Sequence, residues 1–446
     1  MDFNPVRQLF VRRTLSTGER VPVGVLAQNR QGVFFQYDAG YLARFGNLSP
    51  FTLDATTALQ PAPRQPHHGI HGVFADSLPD SWGLLLQDRI FRQHGILPAQ
   101  LTAMDRLALV GARGMGALTF SPVSGFKPGD HHDVDLAALG LGAQTLFDSM
   151  SLDGPEGPPQ EILAALVATG SSGGARPKAQ VFANAGNFEQ CRTHAKPEDE
   201  AWLVKFTSRN LALGHEEGLC EAVYLHMAEQ ANLQPPSWRL IPAPERSGAI
   251  AWLAVKRFDY LPVGPHARKK TARPGRLHMH SACGLLDADF RTPGLDYADL
   301  IKASRQLCKA PSVGRLQFRR AVFNLFAANH DDHSKNWSFL QNDDGRWQVA
   351  PCYDVTFSPH PFHEHATTFD GYGRQPPLKT MQKLAAGAGF ASWKEAQQGI
   401  HEVVDALSHF SSLARDHGIR KSTIKAIQDT LGRIQNPLRD LLKSCR

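Results

Sequence analysis

The stretch NHDDHSKNWSFLQNDDGRWQVAPCYD, residues 329–354, crowds Asp331, Asp332, Asp343 and Asp344 among His330, His333 and Lys335, and ends on a further acid, Asp354. Carboxylates at short range disfavour each other's ionised forms unless something positive sits among them. A magnesium ion held partly by phosphate oxygens is one such partner, and it takes carboxylate and amide oxygens. Asn336 follows Asp331 by five residues. WSFL, the turn-forming QNDDG and RWQVAP then read as a β-hairpin whose second strand leads to Asp354.

A loop Asp, an Asn five residues on, a hairpin and a second Asp form the active-site order of protein kinases. The spacing has a physical reason. One carboxylate must face the attacking hydroxyl, an amide oxygen and a second carboxylate must grip magnesium, and the hairpin returns the second carboxylate beside the first. Asp343 and Asp344 read as an exposed turn, and Asp332 alternates away from Asp331. Phosphoryl transfer also needs a loop over the phosphates and a lysine on a strand. TGSSGGARPKAQVF, 169–182, supplies adjacent glycines and Lys178 ahead of an apolar strand, so backbone N–H groups can approach phosphate oxygens. It matches neither phosphate-loop consensus, and an ordinary turn is the simpler alternative. In WLVKF, Lys205 sits within an apolar strand, where an ammonium needs an anion or an open edge. Glu221 on the following helix is the natural anion, with Glu216 and Glu217 as competitors.

The elements that must position these groups fall into three regions. Residues 20–60 read as strands (VPVGVLAQN, GVFFQYDA), PAPRQPHHG as a loop, SWGLLLQDRIFRQHG as a helix ending at Gly, and GALTFSPV as a strand. Pro- and Gly-rich stretches at 121–130 and 153–159 mark a boundary. Between Gly170 and Phe258 lie the glycine turn, the strands AWLVKF and AWLAVKRF, and the helix EGLCEAVYLHMAEQANL. Beyond Arg276 helical periodicity dominates, as in Leu316, Val322, Phe323 and Phe326, with the hairpin as the exception. The expected fold is α+β, protein-kinase-like and bilobal. A β-rich accessory domain and linker span 1–150, a small lobe 151–260, and a mostly helical lobe 261–446.

Composition narrows the classes. The 446 residues are 42% hydrophobic and 20% charged, ordinary for a globular chain, and the net charge of +6 is mild at this length. No helix-turn-helix pattern offers a DNA-binding element. Cys191, Cys220, Cys283, Cys308, Cys352 and Cys445 show no CxxC spacing and read as reduced thiols. The first residues lack the apolar core of a signal peptide, and no apolar run approaches a membrane span. The expectation is a cytoplasmic protein with no membrane association. The histidine pairs His67–His68 and His131–His132 sit in Pro/Gly loops and read as solvated. The basic loop 262–276, with five Arg/Lys and no acid, reads first as a solvated connector, with a docking surface for an acidic or RNA-bearing partner as the alternative.

SSGGARPKA, WLVKF, AVKRFD, NHDDHSKNWSFL and PCYDVTFS together resemble the HipA family of bacterial serine/threonine kinase toxins, of type II toxin–antitoxin systems. FFQYDAGYLA, FADSLPDSWG and LALVGARGMGALTF resemble that family's N-terminal accessory domain. The resemblance implies an ATP- and Mg2+-dependent kinase with Asp331 as the catalytic residue and Asn336 and Asp354 on magnesium. It implies nucleotide contacts from Ser172, Gly173, Gly174, Ala175, Arg176, Pro177 and Lys178, from Lys205, and from His333, Ser334, Lys335 and Asn336. Lys256, Arg257 and Phe258 would form the adenine-side hinge through backbone groups, with Tyr353 packed on the base and Glu221 supporting Lys205. Ser171 falls at the family's autophosphorylation site, and Asp259 matches an acid after the hinge. The implied partners are a HipB-like helix-turn-helix antitoxin, DNA only through that antitoxin, and a protein substrate such as an aminoacyl-tRNA synthetase. The chain departs from the family at Met279–His280–Ser281, where Gln-Glu-Asp is usual, at Arg176, and at Lys256. Two rival readings are a nucleotide-binding scaffold without catalysis and a metal-dependent hydrolase built on HDDH (330–333) and HPFHEH (360–365).

Overall fold

The computed structural model describes residues 3–126, 133–149, 160–170, 173–263 and 273–443. Its first domain is an antiparallel sheet in the order β4-β3-β2-β1-β5. The strands are β1 (Gln8–Thr14), β2 (Arg20–Gln28), β3 (Val33–Tyr37), β4 (Gln60–Pro61) and β5 (Leu118–Ser121). β1 lies upstream of the expected strands at 20–60. Its alternation puts Leu9, Val11 and Arg13 inward, and a buried arginine obscures the apolar signal. Helices α1 (Ala39–Phe45), α2 (Gly72–Ala75), α3 (Ser81–Gln93) and α4 (Ala103–Val110) accompany the sheet. α1, α2 and α4 close a core around Val23, Phe35, Phe74 and Leu107.

The next unit is the four-stranded antiparallel sheet β6-β7-β9-β8, from β6 (Lys178–Asn184), β7 (Asp199–Lys205), β8 (Trp238–Pro242) and β9 (Ala251–Lys256). Period-two alternation splits β9 between two cores. Trp252 and Ala254 meet α3, α5 (Leu136–Asp148) and α6 (Gln160–Ala168), while Leu253 and Val255 meet α7 (Glu217–Gln230). Helices from residues 1–150 thus share apolar contacts with the second sheet. Leu136, Leu139 and Leu146 of α5 pack on the second sheet, as do Trp82, Leu86 and Ile90 of α3. Connector length and Pro/Gly content say nothing of which sheet such a helix covers.

Short strands β10 (Tyr260–Leu261) and β11 (Gly275–Arg276) lead into the last lobe. β12 (His278–Ser281) and α8 (Ala282–Leu285) follow, then β13 (Leu295–Asp296), α9 (Tyr297–Cys308) and α10 (Pro311–Phe326). The expected hairpin is present as β14 (Ser338–Gln341) and β15 (Trp347–Val349), but β12 pairs with β14 to make three strands. β16 (Thr367–Thr368) pairs in parallel with β13. Helices α11 (Leu378–Ala388), α12 (Trp393–Ser408), α13 (Phe410–Asp416) and α14 (Lys421–Gln435) complete an α+β fold whose last lobe is mostly helical. Phe318, Phe323, Phe326, Met381, Ile400 and Ile427 share one core with α7.

Asp344 is exposed in the hairpin turn, as expected, but Asp343 and the strand before it are held by the first domain. Asp343 Oδ2 accepts from the Ser16 N–H at 2.9 Å and its hydroxyl at 2.5 Å, and buried Arg13 donates to Gln341 Oε1 and the Asn342 carbonyl, each at 2.9 Å. The first domain thus grips the hairpin that carries Asp354. Among the described residues no helix is long and apolar enough to cross a membrane.

Candidate active site

Lys178 opens β6 and Lys205 closes β7, and the two are register partners. Two ammonium groups side by side in a buried place require anions. Lys205 Nζ donates to Glu221 Oε1 and to Asp354 Oδ1, each at 2.6 Å. Burial would depress the Lys205 pKa, but Asp354 and Glu221 hold it above its ordinary value. The competitors of Glu221 are engaged elsewhere. Glu217 pairs with Arg176 at 3.2 Å, and Glu216 accepts from the Arg420 N–H at 2.7 Å and from its guanidinium at 2.9 Å. Lys178 is bonded to the Gly173 carbonyl, and burial lowers its pKa to about 8 against the opposing pull of Asp354.

Asp354 follows β15 with φ of 57, a left-handed conformation that Asp tolerates better than most residues. Burial would raise its pKa, but Lys205, Lys178 and Arg176 hold it well below the carboxylate range. Tyr353 beside it donates to the Lys335 carbonyl at 2.7 Å and shares a hydrogen bond with Ser338 at 2.6 Å. Its ring lies 5.5 Å from that of Phe258. Asn336 donates from Nδ2 to the Asp331 carbonyl at 2.7 Å, leaving its amide oxygen available to ligate a cation. Asp331 itself is 62% exposed, 3.7 Å from His333. Its pKa is raised, with desolvation the first cause and the nearby His333 ring opposing the rise.

Asp332 points away from Asp331, as the alternation implied, and has a role behind the loop. Fully buried, it accepts from the Tyr297 hydroxyl and the Thr367 N–H and pairs with His365 Nδ1 at 2.9 Å. The Trp337 indole donates to its carbonyl at 3.1 Å. These bonds hold the loop from behind while Asp331 faces out. They also engage the two histidine clusters in packing, since the His330 ring packs edge-on to His365 at 4.6 Å. Among the described residues no group of three or more His, Cys, Asp or Glu side chains is placed to hold a metal ion. His67 is buried and paired with Asp287 at 3.0 Å rather than solvated, whereas His68 is exposed as expected, and His131–His132 lie outside the described residues.

One cleft between the lobes gathers Gly173, Gly174, Lys178, Lys205, Glu221, His333, Lys335, Asn336, Tyr353 and Asp354, with Lys256, Arg257 and Phe258 along one wall. The side chains of several residues named for the site are bonded elsewhere. Lys256 pairs with Glu200 at 2.5 Å, and Arg257 is bound to Asp259, to Gln180 and to the Gly114 carbonyl, so only their backbone is left for a hinge. Ser334 is buried and donates to the Ala288 carbonyl at 2.8 Å. Arg176 faces Glu217 and Glu221, and Ala175, Arg176 and Pro177 do not line the cleft. Ser171 and Ser172 lie outside the described residues, as does most of the basic loop. Four lining residues come from the first domain and were not expected: Asp76, Leu78, Asp80 and Met115. The signal for Asp76, Leu78 and Asp80 was present in FADSLPDSWG, whose two acids flank a turn with no periodic reason to be there. Asp259, left without a role, accepts from Arg257 and from the Gly116 N–H, tying the hinge to the first domain.

Comparison with known proteins follows this division. A model of the HipA-like C-terminal domain matches residues 170–411, and one of the HipA N-terminal domain matches residues 18–121. Among solved structures, HipA of Shewanella oneidensis MR-1, determined with HipB and operator DNA, superposes with a TM-score of 0.59 at 15% identity, covering 98% of this chain and 100% of that one. The Helicobacter pylori proinflammatory kinase CtkA gives a TM-score of 0.40 at 15% identity over 61% of this chain and 91% of that one. A curated relative, the putative kinase Y4mE of Sinorhizobium fredii, is 28% identical over 118 residues, which span 25% of this chain and about a quarter, 26%, of that protein.

Proposed function

Because the chain belongs to the HipA family, we propose that it is an ATP- and magnesium-dependent protein serine/threonine kinase, the toxin of a toxin–antitoxin pair. The observation that carries this reading is the bonding of one buried lysine, Lys205, to a helix Glu and to the Asp after the hairpin, beside an Asn tied to the loop Asp. That is the constellation a loose phosphoryl-transfer transition state needs, since the protein supplies mainly position and charge.

Gly173, Gly174 and Lys178 take the phosphate side of the cleft, and Lys205, oriented by Glu221, presents its charge to the phosphate oxygens. Phe258, Tyr353 and the hinge backbone take the base. The donor set fits magnesium: a carboxylate on Asp354 and an amide oxygen on Asn336 are hard oxygen ligands that leave remaining positions to phosphate. Bound there, magnesium would neutralise charge on the phosphates. Asp331, exposed on its loop, would accept or orient the proton of a substrate hydroxyl, and Asn336 fixes the backbone of that loop. Autophosphorylation on Ser171 belongs to this proposal on sequence resemblance alone.

The partner we propose is a HipB-like antitoxin that contacts DNA on behalf of the complex; the Shewanella HipA was solved with such a partner. A translation component such as an aminoacyl-tRNA synthetase is the proposed substrate, in the cytoplasm. Incubating the purified protein with labelled ATP and magnesium tests the reading. Label on protein in the wild type and none with Asp331→Ala is expected. Nucleotide binding without transfer in either would instead support the scaffold reading, which the same cleft allows.

A further inference from the structure

Asp80 precedes α3, the position from which a carboxylate ordinarily accepts the N–H groups of its own helix, yet its side chain makes no such bond. It turns across the domain boundary. Oδ1 accepts from the Gly174 N–H at 2.5 Å and Oδ2 from the Lys335 ammonium at 2.9 Å, and the carboxylate is 6% exposed. A Cβ on Gly173 would stand 3.2 Å from Oδ2, so the glycine turn is wrapped closely round this group. The contact is braced on both sides. Trp82 donates its backbone N–H to the Gly174 carbonyl at 3.3 Å and its indole N–H to the Lys178 carbonyl at 2.8 Å. Between Asp80 and Trp82, Ser81 holds φ of 27, a conformation a serine keeps only when its surroundings impose it.

A backbone N–H in a glycine turn and a nearby ammonium are what a phosphate oxygen would seek in this cleft. We propose that Asp80 is an intramolecular competitor for the phosphate subsite, so that a nucleotide binds only by taking over the hydrogen bonds that this carboxylate of the first domain now accepts. The inference rests on the reading of the cleft as a nucleotide site. A buried carboxylate and a polyphosphate cannot both occupy that subsite without strong repulsion. The bound state therefore requires Asp80 to move or protonate, and apparent affinity falls by the fraction of molecules in which the subsite is open. The first domain, which carries Asp80, thereby gains control of the catalytic cleft without touching the reacting atoms.

Asp80→Asn keeps the shape and one acceptor while removing the charge. Titration calorimetry with ATP and magnesium is expected to show binding about tenfold tighter than wild type, while adenosine, which does not reach the phosphate subsite, binds both proteins equally. Asp80→Glu keeps the charge and should show no such ATP-specific gain. In the unmodified protein, saturating ATP with magnesium should speed amide exchange over residues 80–84, and adenosine should not. ATP affinity unchanged or weaker in Asp80→Asn, an equal gain for adenosine, or exchange slowed or unchanged by ATP overturns the competitor while leaving the nucleotide site standing. A wild type and variant that both fail to bind ATP overturn the two together.

Discussion

At the scale of single residues, the proposed kinase site separates groups that would hold charge from the one group that would do chemistry. Asp331 is the exposed carboxylate of the loop, and its removal should leave the fold and nucleotide binding intact. Asp331→Ala should slow phosphotransfer by at least ~10²–10³, roughly 3–4 kcal/mol of transition-state stabilisation, read in a single-turnover assay. Asp354 is different, because its carboxylate is held ionised by Lys205, Lys178 and Arg176. Asp354→Ala should abolish the magnesium dependence of ATP binding in calorimetry, and an unchanged dependence would remove Asp354 from the metal site. Lys178 supplies a pH signature. With its pKa lowered to about 8 by burial, it loses its positive charge as pH rises through that value, so ATP affinity should weaken on the alkaline side. Lys178→Arg, which keeps its charge throughout, should flatten that limb.

At the scale of elements, the loop before the hairpin is held from inside. Asp332 takes bonds from α9 through Tyr297, from β16 through Thr367, and from His365, so three separate segments converge on one buried carboxylate. Asp332→Ala leaves those buried donors facing a void, and each buried donor left unsatisfied costs about 1–3 kcal/mol. Urea denaturation should show that loss, with phosphotransfer falling alongside it. A stability change under about 1 kcal/mol, the range of ordinary surface sites, would show that the network does not hold the loop. Legibility in the sequence follows the same line. Asp331, Asn336 and Asp354 stand out by spacing, because local chain geometry governs their separation. Asp332 does not, because its partners arrive from residues 297, 365 and 367.

At the scale of the whole molecule, the first domain is built into the cleft through several polar contacts. Arg13 grips the hairpin, Asp80 reaches the glycine turn, and Asp259 ties the hinge to Gly116. Asp259 is fully buried. Burial would raise its pKa, but Arg257 and Arg276 hold it below the ordinary value. A depressed acid contributes stability that is fully present above its unfolded pKa of about 3.9 and is lost as pH falls through the folded value. Asp259→Asn should therefore lower the melting temperature at pH 7, and the gap from wild type should shrink as both are acidified below about pH 4. A gap constant with pH would mean that shape rather than charge carries the contact.

The sequence by itself determined the α+β class, the strand that carries Lys205, the helix that carries Glu221, and the order Asp331, Asn336, hairpin, Asp354. All of these depend on periodicity and short-range spacing, which a chain displays before it folds. Tertiary structure alone decided which of Glu216, Glu217 and Glu221 meets Lys205, because three acids within six residues differ only in the face each presents. It also decided that the side chains of Lys256, Arg257 and Ser334 are bonded elsewhere, that α5 belongs to the second sheet, and that Asp80 of the first domain sits on the glycine turn. Side-chain direction and contacts between residues 80 and 335 are set by how domains pack, and no local pattern encodes a distance across that much chain.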